Sequence, residues 1–108
     1  MPEINFMVKG SAEDPYEVTF LKSDDSLLVF CTCPAGENRR HCKHRVAIMN
    51  GSGKNIVSDN QNEIATVQSW MAGTAVETAL RELEQVAKSG DAKALAAAKS
   101  RLARAMND

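Results

Sequence analysis

Hydrophobic and polar positions follow two different periods, and the change falls near Gly51. Before Gly51 the apolar residues alternate with polar ones, as in Ile4, Phe6 and Val8. A period of two is typical of a strand that is buried on one face. Residues 16–22 and 27–31 share this period, and the Ser-Asp-Asp-Ser turn between them predicts a hairpin. We therefore expect a three-stranded antiparallel sheet, followed by a short helix over residues 44–50.

After Gly51 the apolar residues recur at helical spacing. The predicted helices begin near Asp59 or Asn60, at a Thr74–Glu77 capping box and at Asp91. Their apolar stripes are Ile64, Val67, Trp70 and Met71, then Val76, Leu80, Leu83 and Ala87, and finally Leu95, Ala98, Leu102 and Met106. We expect Trp70 to pack against the sheet rather than to anchor a partner. The fold class is α+β, with a sheet region over 1–50, a linker over 51–58 and two or three helices over 59–108 that pack on or beside the sheet.

Composition narrows the classes of function. Thirteen Lys and Arg residues oppose fourteen Asp and Glu residues, which gives a net charge of −1 and argues against binding polyanions by bulk charge. The longest apolar runs have five residues, so no membrane span is expected. The N-terminal residues lack the features of a leader, which predicts a cytoplasmic protein and leaves nucleoid or nuclear association open. No constellation of nucleophile and base is evident, so we expect neither an enzyme nor a small-molecule substrate.

All three cysteines and both histidines lie within residues 31–44, in the spacing C-x-C-x8-C-x-H. Three thiolates and one imidazole are a standard ligand set for a structural zinc ion, which predicts Cys31, Cys33, Cys42 and His44 as ligands of one Zn²⁺. Residues i and i+2 diverge on a regular helix. Cys42 is therefore expected before the helix or at its cap, with His44 in the first turn.

Three alternatives remain open for this cluster. The cysteines could be buried structural residues, or Cys31 or Cys33 could pair with Cys42 in a redox switch that also releases zinc. His41 could replace His44 as a ligand, although we expect His41 to be a solvated loop residue because it lies outside the C-x-H pattern.

A positive segment overlaps the cluster. Arg39, Arg40, Lys43 and Arg45 stand against the single acid Glu37, for a local charge of +3. These cations could contact nucleic-acid phosphates, or they could neutralise a zinc site that carries a charge of −1. Stacking of bases is not expected, because Phe6, Phe20 and Phe30 occupy predicted core positions.

The ligand spacing and its flanks resemble a known family. Residues 28–36 (LVFCTCPAG) and 41–47 (HCKHRVA) are similar to the SWIM-type zinc finger, and the resemblance covers about residues 14–50. It implies a ββα finger in which Cys31, Cys33, Cys42 and His44 hold zinc. It also implies a binding role towards DNA or protein. The sequence thus predicts a non-enzymatic zinc adaptor with a nucleic-acid or a protein partner.

Overall fold

The computed structural model describes residues 2–37 and 42–106 and confirms the α+β fold class. Three strands, β1 (Glu3–Val8), β2 (Tyr16–Ser23) and β3 (Ser26–Cys31), form an antiparallel sheet in the order β1-β2-β3. The hairpin turn between β2 and β3 is closed by the pair Ser23 and Ser26. Asp24 in that turn has a φ of 46°, a left-handed conformation that aspartate tolerates better than most residues.

Helices follow the sheet. They are α1 (Pro34–Glu37), α2 (Lys43–Met49), α3 (Ile64–Met71), α4 (Ala75–Ser89) and α5 (Ala92–Met106), with a 3₁₀ turn at Gln61–Glu63 that leads into α3. The short helix predicted over residues 44–50 is α2. It ends in a Schellman motif at Gly51, whose φ is 91°, with a hydrogen bond from the amide of Ser52 to the carbonyl of Ala47.

Two side-chain caps begin the long helices where the sequence predicts them. The Thr74 hydroxyl accepts a hydrogen bond from the amide of Glu77 at 3.4 Å. The Glu77 carboxylate accepts in turn from the amide of Gly73, one residue before the cap, since the Thr74 amide already donates to a backbone carbonyl. Asp91 accepts from two amides in the first turn of α5, at 3.0 and 3.1 Å.

The segment predicted as a linker runs beside β1. The amide of Lys9 donates to the carbonyl of Asn55, and the amide of Val57 donates to the carbonyl of Met7, both at 2.8 Å. Ile56, between them, is buried. Because these bonds occupy the outer edge of β1, the segment is a structured part of the sheet's border.

One face of the sheet and the helices share a single core. Its fully buried members include Phe6, Phe20, Val29, Ile48, Val67, Leu80 and Leu102. The rings of Phe6 and Phe20 meet edge to face with centroids 5.8 Å apart. Trp70 is half-buried and packs against the same core.

Phe30 corrects one prediction about the core. Its side chain is 41% exposed, on the opposite face of the sheet from the core. Its neighbours Val29 and Cys31 point inward, and successive side chains on a strand alternate between faces. Phe30 therefore belongs to the open face of the sheet.

Among residues 2–37 and 42–106, helices of the length and apolarity that a bilayer requires are absent.

Candidate metal centre

Four predicted ligands converge where the sheet meets α2. Cys31 is the last residue of β3, Cys33 directly precedes α1, and Cys42 is the N-cap residue of α2. His44 lies in the first turn of α2, as the i and i+2 argument requires. The three cysteines are buried, and His44 is half-buried.

The donor atoms fit one tetrahedral zinc ion. One ligand atom from each of the four residues lies within 4.8 Å of the others. The sulfur atoms of Cys33 and Cys42 are 3.3 Å apart, and His44 Nδ1 lies 3.5 Å from Cys42 Sγ and 3.9 Å from Cys31 Sγ. Tetrahedral coordination with ordinary zinc bond lengths separates two sulfurs by about 3.8 Å and a sulfur from a nitrogen by about 3.6 Å. Four protein donors close the coordination shell, so the zinc is structural.

The turn after Cys33 places its sulfur. Pro34 is the first residue of α1, where its ring suits the helical φ and its missing amide costs nothing. The amide of Gly36 donates to Cys33 Sγ at 3.3 Å, and that of Glu37 donates to the Cys33 carbonyl at 2.9 Å. A Cβ on Gly36 would stand 2.4 Å from the carbonyl oxygen of Cys31, so only glycine fits between the two ligand segments.

Without a metal ion, the thiols of Cys31 and Cys42 have very different pKa values. The hydrogen bond from Cys31 stabilises the Cys42 thiolate and lowers the pKa of Cys42 to about 4, although burial opposes this shift. The same hydrogen bond, together with burial, raises the pKa of Cys31 well above its ordinary value. Cys31 and Cys42 would hold zinc as thiolates, so metal binding would release the proton that Cys31 retains.

Tyr16 and Gly10 lie close to the imidazole of His44. The centroid of the imidazole lies 5.2 Å from that of the Tyr16 ring, at a tilt of 48°. A Cβ on Gly10 would fall 2.3 Å from Tyr16 Cε2 and 3.2 Å from His44 Nε2. Gly10 thus lets the loop after β1 approach both rings. The sequence carries no signal for these two positioning residues, because Gly10 lies in a loop and Tyr16 occupies an ordinary strand position.

Arg45 corrects the prediction that it contacts nucleic acid. Its side chain is 0% exposed, and Nη1 donates to the carbonyl of Val29 at 2.9 Å. On α2, Arg45 shares the inward face with Ile48 and Met49, at the i, i+3 and i+4 positions. A phosphate cannot reach a guanidinium in this position.

The buried charge of Arg45 has a different use. Zinc with three thiolates would carry a net charge of −1, and the buried guanidinium of Arg45 carries the opposite charge. The backbone amide of Arg45 also donates to the Cys42 sulfur, which helps to keep that pKa low. For Arg45, neutralisation of the zinc site stays a prediction, while its burial excludes the phosphate contact.

The other predicted cations differ from Arg45. Lys43 is exposed at the start of α2, where a phosphate could reach it. Arg39, Arg40 and the alternative ligand His41 lie outside the described residues.

Among the clefts lined by residues 2–37 and 42–106, two include His44 in their lining. The larger has a volume of about 470 Å³ and lies between the end of β1, the segment after α2, and α2 itself. Its lining residues are Val8, Lys9, Gly10, Ser11, Lys43, His44, Ala47, Ile48, Ser52, Asn55 and Ile56. The smaller, of about 330 Å³, lies towards Tyr16 and Pro34 and shares Ser11, Lys43 and His44 with the first.

Comparison with known proteins agrees with the geometry of the metal centre. A family model described as the SWIM zinc finger matches residues 16–50, which run from β2 to the end of α2. Searches of curated proteins and of solved structures found no match to the chain. The matched segment contains the sheet hairpin, the C-x-C-x8-C-x-H spacing and the converging donors. Residues 16–50 therefore match the SWIM zinc finger, and Cys31, Cys33, Cys42 and His44 within them form a site suited to one structural zinc ion.

Proposed function

We propose that this protein is a non-enzymatic zinc adaptor that binds nucleic acid, with DNA as the expected partner. Binding would use the positively charged residues beside the zinc centre. The observation that carries the proposal is the position of Lys43. It is exposed and directly follows the ligand Cys42, so the metal site fixes the backbone from which it extends. Lys9, which directly follows β1, lines the larger cleft together with Lys43. It adds a second cation from a different part of the fold.

The buried position of Arg45 reduces the number of phosphates that this surface can contact. Arg39, Arg40 and Lys43 leave three contacts from the positive segment. Each neutralised phosphate of duplex DNA contributes about −0.9 to the slope of log affinity against log salt, so three predict a slope near −2.7. Lys9 could contribute a fourth.

The test is a fluorescence anisotropy titration of zinc-loaded protein with labelled duplex DNA at several salt concentrations. We expect Lys43→Ala to weaken binding and to make the salt slope shallower by about 0.9. Lys99→Ala is the matched control, because Lys99 is also exposed but lies on α5. Absence of binding at low salt to this duplex and to single-stranded DNA alike, or equal effects of the two variants, would reject the proposal.

A protein partner is the second candidate, and the open face of the sheet favours it. Leu21 and Leu28 lie directly opposite each other on that face, and the exposed Phe30 is two residues further along β3. Adjoining apolar side chains on an exposed face are typical of protein contacts. If this face docks a partner, Phe30→Ser should abolish a cross-linked complex that Lys43→Ala leaves intact. The opposite pattern would favour nucleic acid.

A further inference from the structure

We propose that the larger cleft beside His44 receives one nucleotide of a single-stranded nucleic acid, with the base on the cleft floor and its phosphate at Lys9 and Lys43. This inference rests on the proposed function and specifies how the nucleic acid is bound. The cleft's volume of about 470 Å³ falls within the range of ligand pockets, about 300–1,000 Å³.

The floor of the cleft suits an apolar, flat group. Val8, Ile48 and Ile56 are buried and present aliphatic side chains to it, and Ala47 leaves room above them. A base placed there would be buried against aliphatic side chains instead of stacking between aromatic rings. The rim offers Ser11, Ser52 and Asn55, whose hydroxyl and amide groups can meet the polar edge of a base.

The charge of the rim suits a phosphate. Lys9 and Lys43 are exposed, come from different parts of the chain, and both line the cleft. None of the described residues that line the cleft is an aspartate or a glutamate. Glu13 and Asp14, in the loop after β1, are not among the lining residues. An apolar floor combined with a cationic, carboxylate-free rim complements a nucleotide better than it complements phosphate alone.

The shape of the cleft favours single strands over duplex DNA. A base in a duplex is paired and stacked, and it must leave the helix before a pocket can bury it. A base in a single strand needs only to leave its stack. Because His44 forms a wall of the cleft and is also a zinc ligand, the bound metal holds that wall in place.

The test uses zinc-loaded, full-length protein and three labelled probes of equal length: oligo-dT, an abasic strand with the same phosphates, and a duplex. Anisotropy at one salt concentration should show oligo-dT binding at least tenfold tighter than the abasic strand and tighter than the duplex. Lys9→Ala should weaken the binding of both single strands and make their salt slope shallower by about 0.7.

Variants that fill the cleft test the contribution of the base to binding separately from that of the phosphate. Ala47→Leu, which occupies the space above the floor, should lower oligo-dT affinity to the abasic level and leave the salt slope unchanged. Ser52→Phe fills the cleft from the rim and serves if Ala47→Leu loses zinc or fold. Ala96→Leu, on an exposed position of α5, is the matched control and should change nothing.

The outcomes distinguish the two proposals. If none of the three probes binds, the proposed function itself is rejected, and this inference with it. If oligo-dT and the abasic strand bind equally, or if neither cleft-filling variant matters while Lys43→Ala does, nucleic-acid binding stands and the nucleotide cleft is rejected. Displacement of oligo-dT by an acidic peptide in a manner sensitive to Ala47→Leu would likewise overturn the assignment of the cleft to a nucleotide.

Discussion

Arg45 and Lys43 look alike in the sequence and differ completely in the structure, which makes the pair a sharp test. Arg45→Met retains a long unbranched side chain in the core but removes the charge and the donor to Val29. A buried carbonyl that loses its charged donor costs about 1.5–3 kcal/mol. Removing one member of a buried charge pair costs about 3–5 kcal/mol in all, and the hydrogen bond is part of that loss. We therefore expect Arg45→Met to lower the free energy of unfolding by about 3–5 kcal/mol, a large fraction of the roughly 5–15 kcal/mol typical of a domain.

Lys43→Ala is the control in this comparison. Its side chain is exposed, and surface substitutions of this kind change the free energy of unfolding by at most about 0.5 kcal/mol. It should instead change the affinity for nucleic acid. The two variants thus have opposite signatures although the residues are two positions apart.

Urea unfolding at a fixed free zinc concentration measures both effects. Fluorescence of Trp70, the single tryptophan and half-buried on α3, reports loss of the core, and circular dichroism reports loss of the helices. The reasoning is refuted if Arg45→Met unfolds within 0.5 kcal/mol of the wild type, a margin of about the size of ordinary surface effects. It is equally refuted if Lys43→Ala is as destabilising as Arg45→Met.

Three further predictions concern the metal and the backbone. Chelation, or Cys42→Ser, should reduce zinc from one ion per chain to none and unfold at least residues 16–50, since structural zinc contributes about 10–16 kcal/mol to folding. Metal analysis measures the zinc content, and amide NMR spectra measure the loss of structure. A folded, zinc-free protein would contradict this prediction. Gly36→Ala should lower zinc affinity in a competition assay with a colorimetric chelator, because its Cβ would meet the Cys31 carbonyl oxygen at 2.4 Å. The control Gly53→Ala should keep the zinc affinity of the wild type, because its Cβ would meet only side chains, at 3.2 Å and beyond. Asp91→Ala should cost about 1 kcal/mol in thermal unfolding and leave zinc content unchanged, and an effect below 0.3 kcal/mol would show that this cap is unimportant.

Most of the sheet and the ligand set could be predicted because each depends on local pattern. Alternation marks the core-facing residues of the strands, and the i and i+2 constraint places Cys42 before the helix or at its cap. Two errors had signals that were available. A ligand at Cys31 must face inward, so Phe30 must face outward. Arg45 shares a helical face with Ile48 and Met49, which indicates burial despite its charge.

Other features could not be predicted from a single sequence. The pairing of the supposed linker with β1 uses backbone groups, which every residue carries, so side-chain pattern does not reveal it. The need for glycine at Gly10 and Gly36 arises from close approach of segments that are distant along the chain or folded back on themselves. The clefts beside His44 depend on the same tertiary placement.

The position of β2 in the middle of the sheet determines whether this finger can be transplanted. The SWIM match begins at residue 16, the first residue of β2, and so leaves β1 outside. A peptide of residues 16–50 would expose the edge of β2 to intermolecular pairing and would separate Phe20 from Phe6. Grafting the bare motif onto another protein should therefore give an aggregation-prone product. A fragment intended for grafting has to include β1 and the segment through Ile56. The unit that folds is therefore larger than the motif that identifies it.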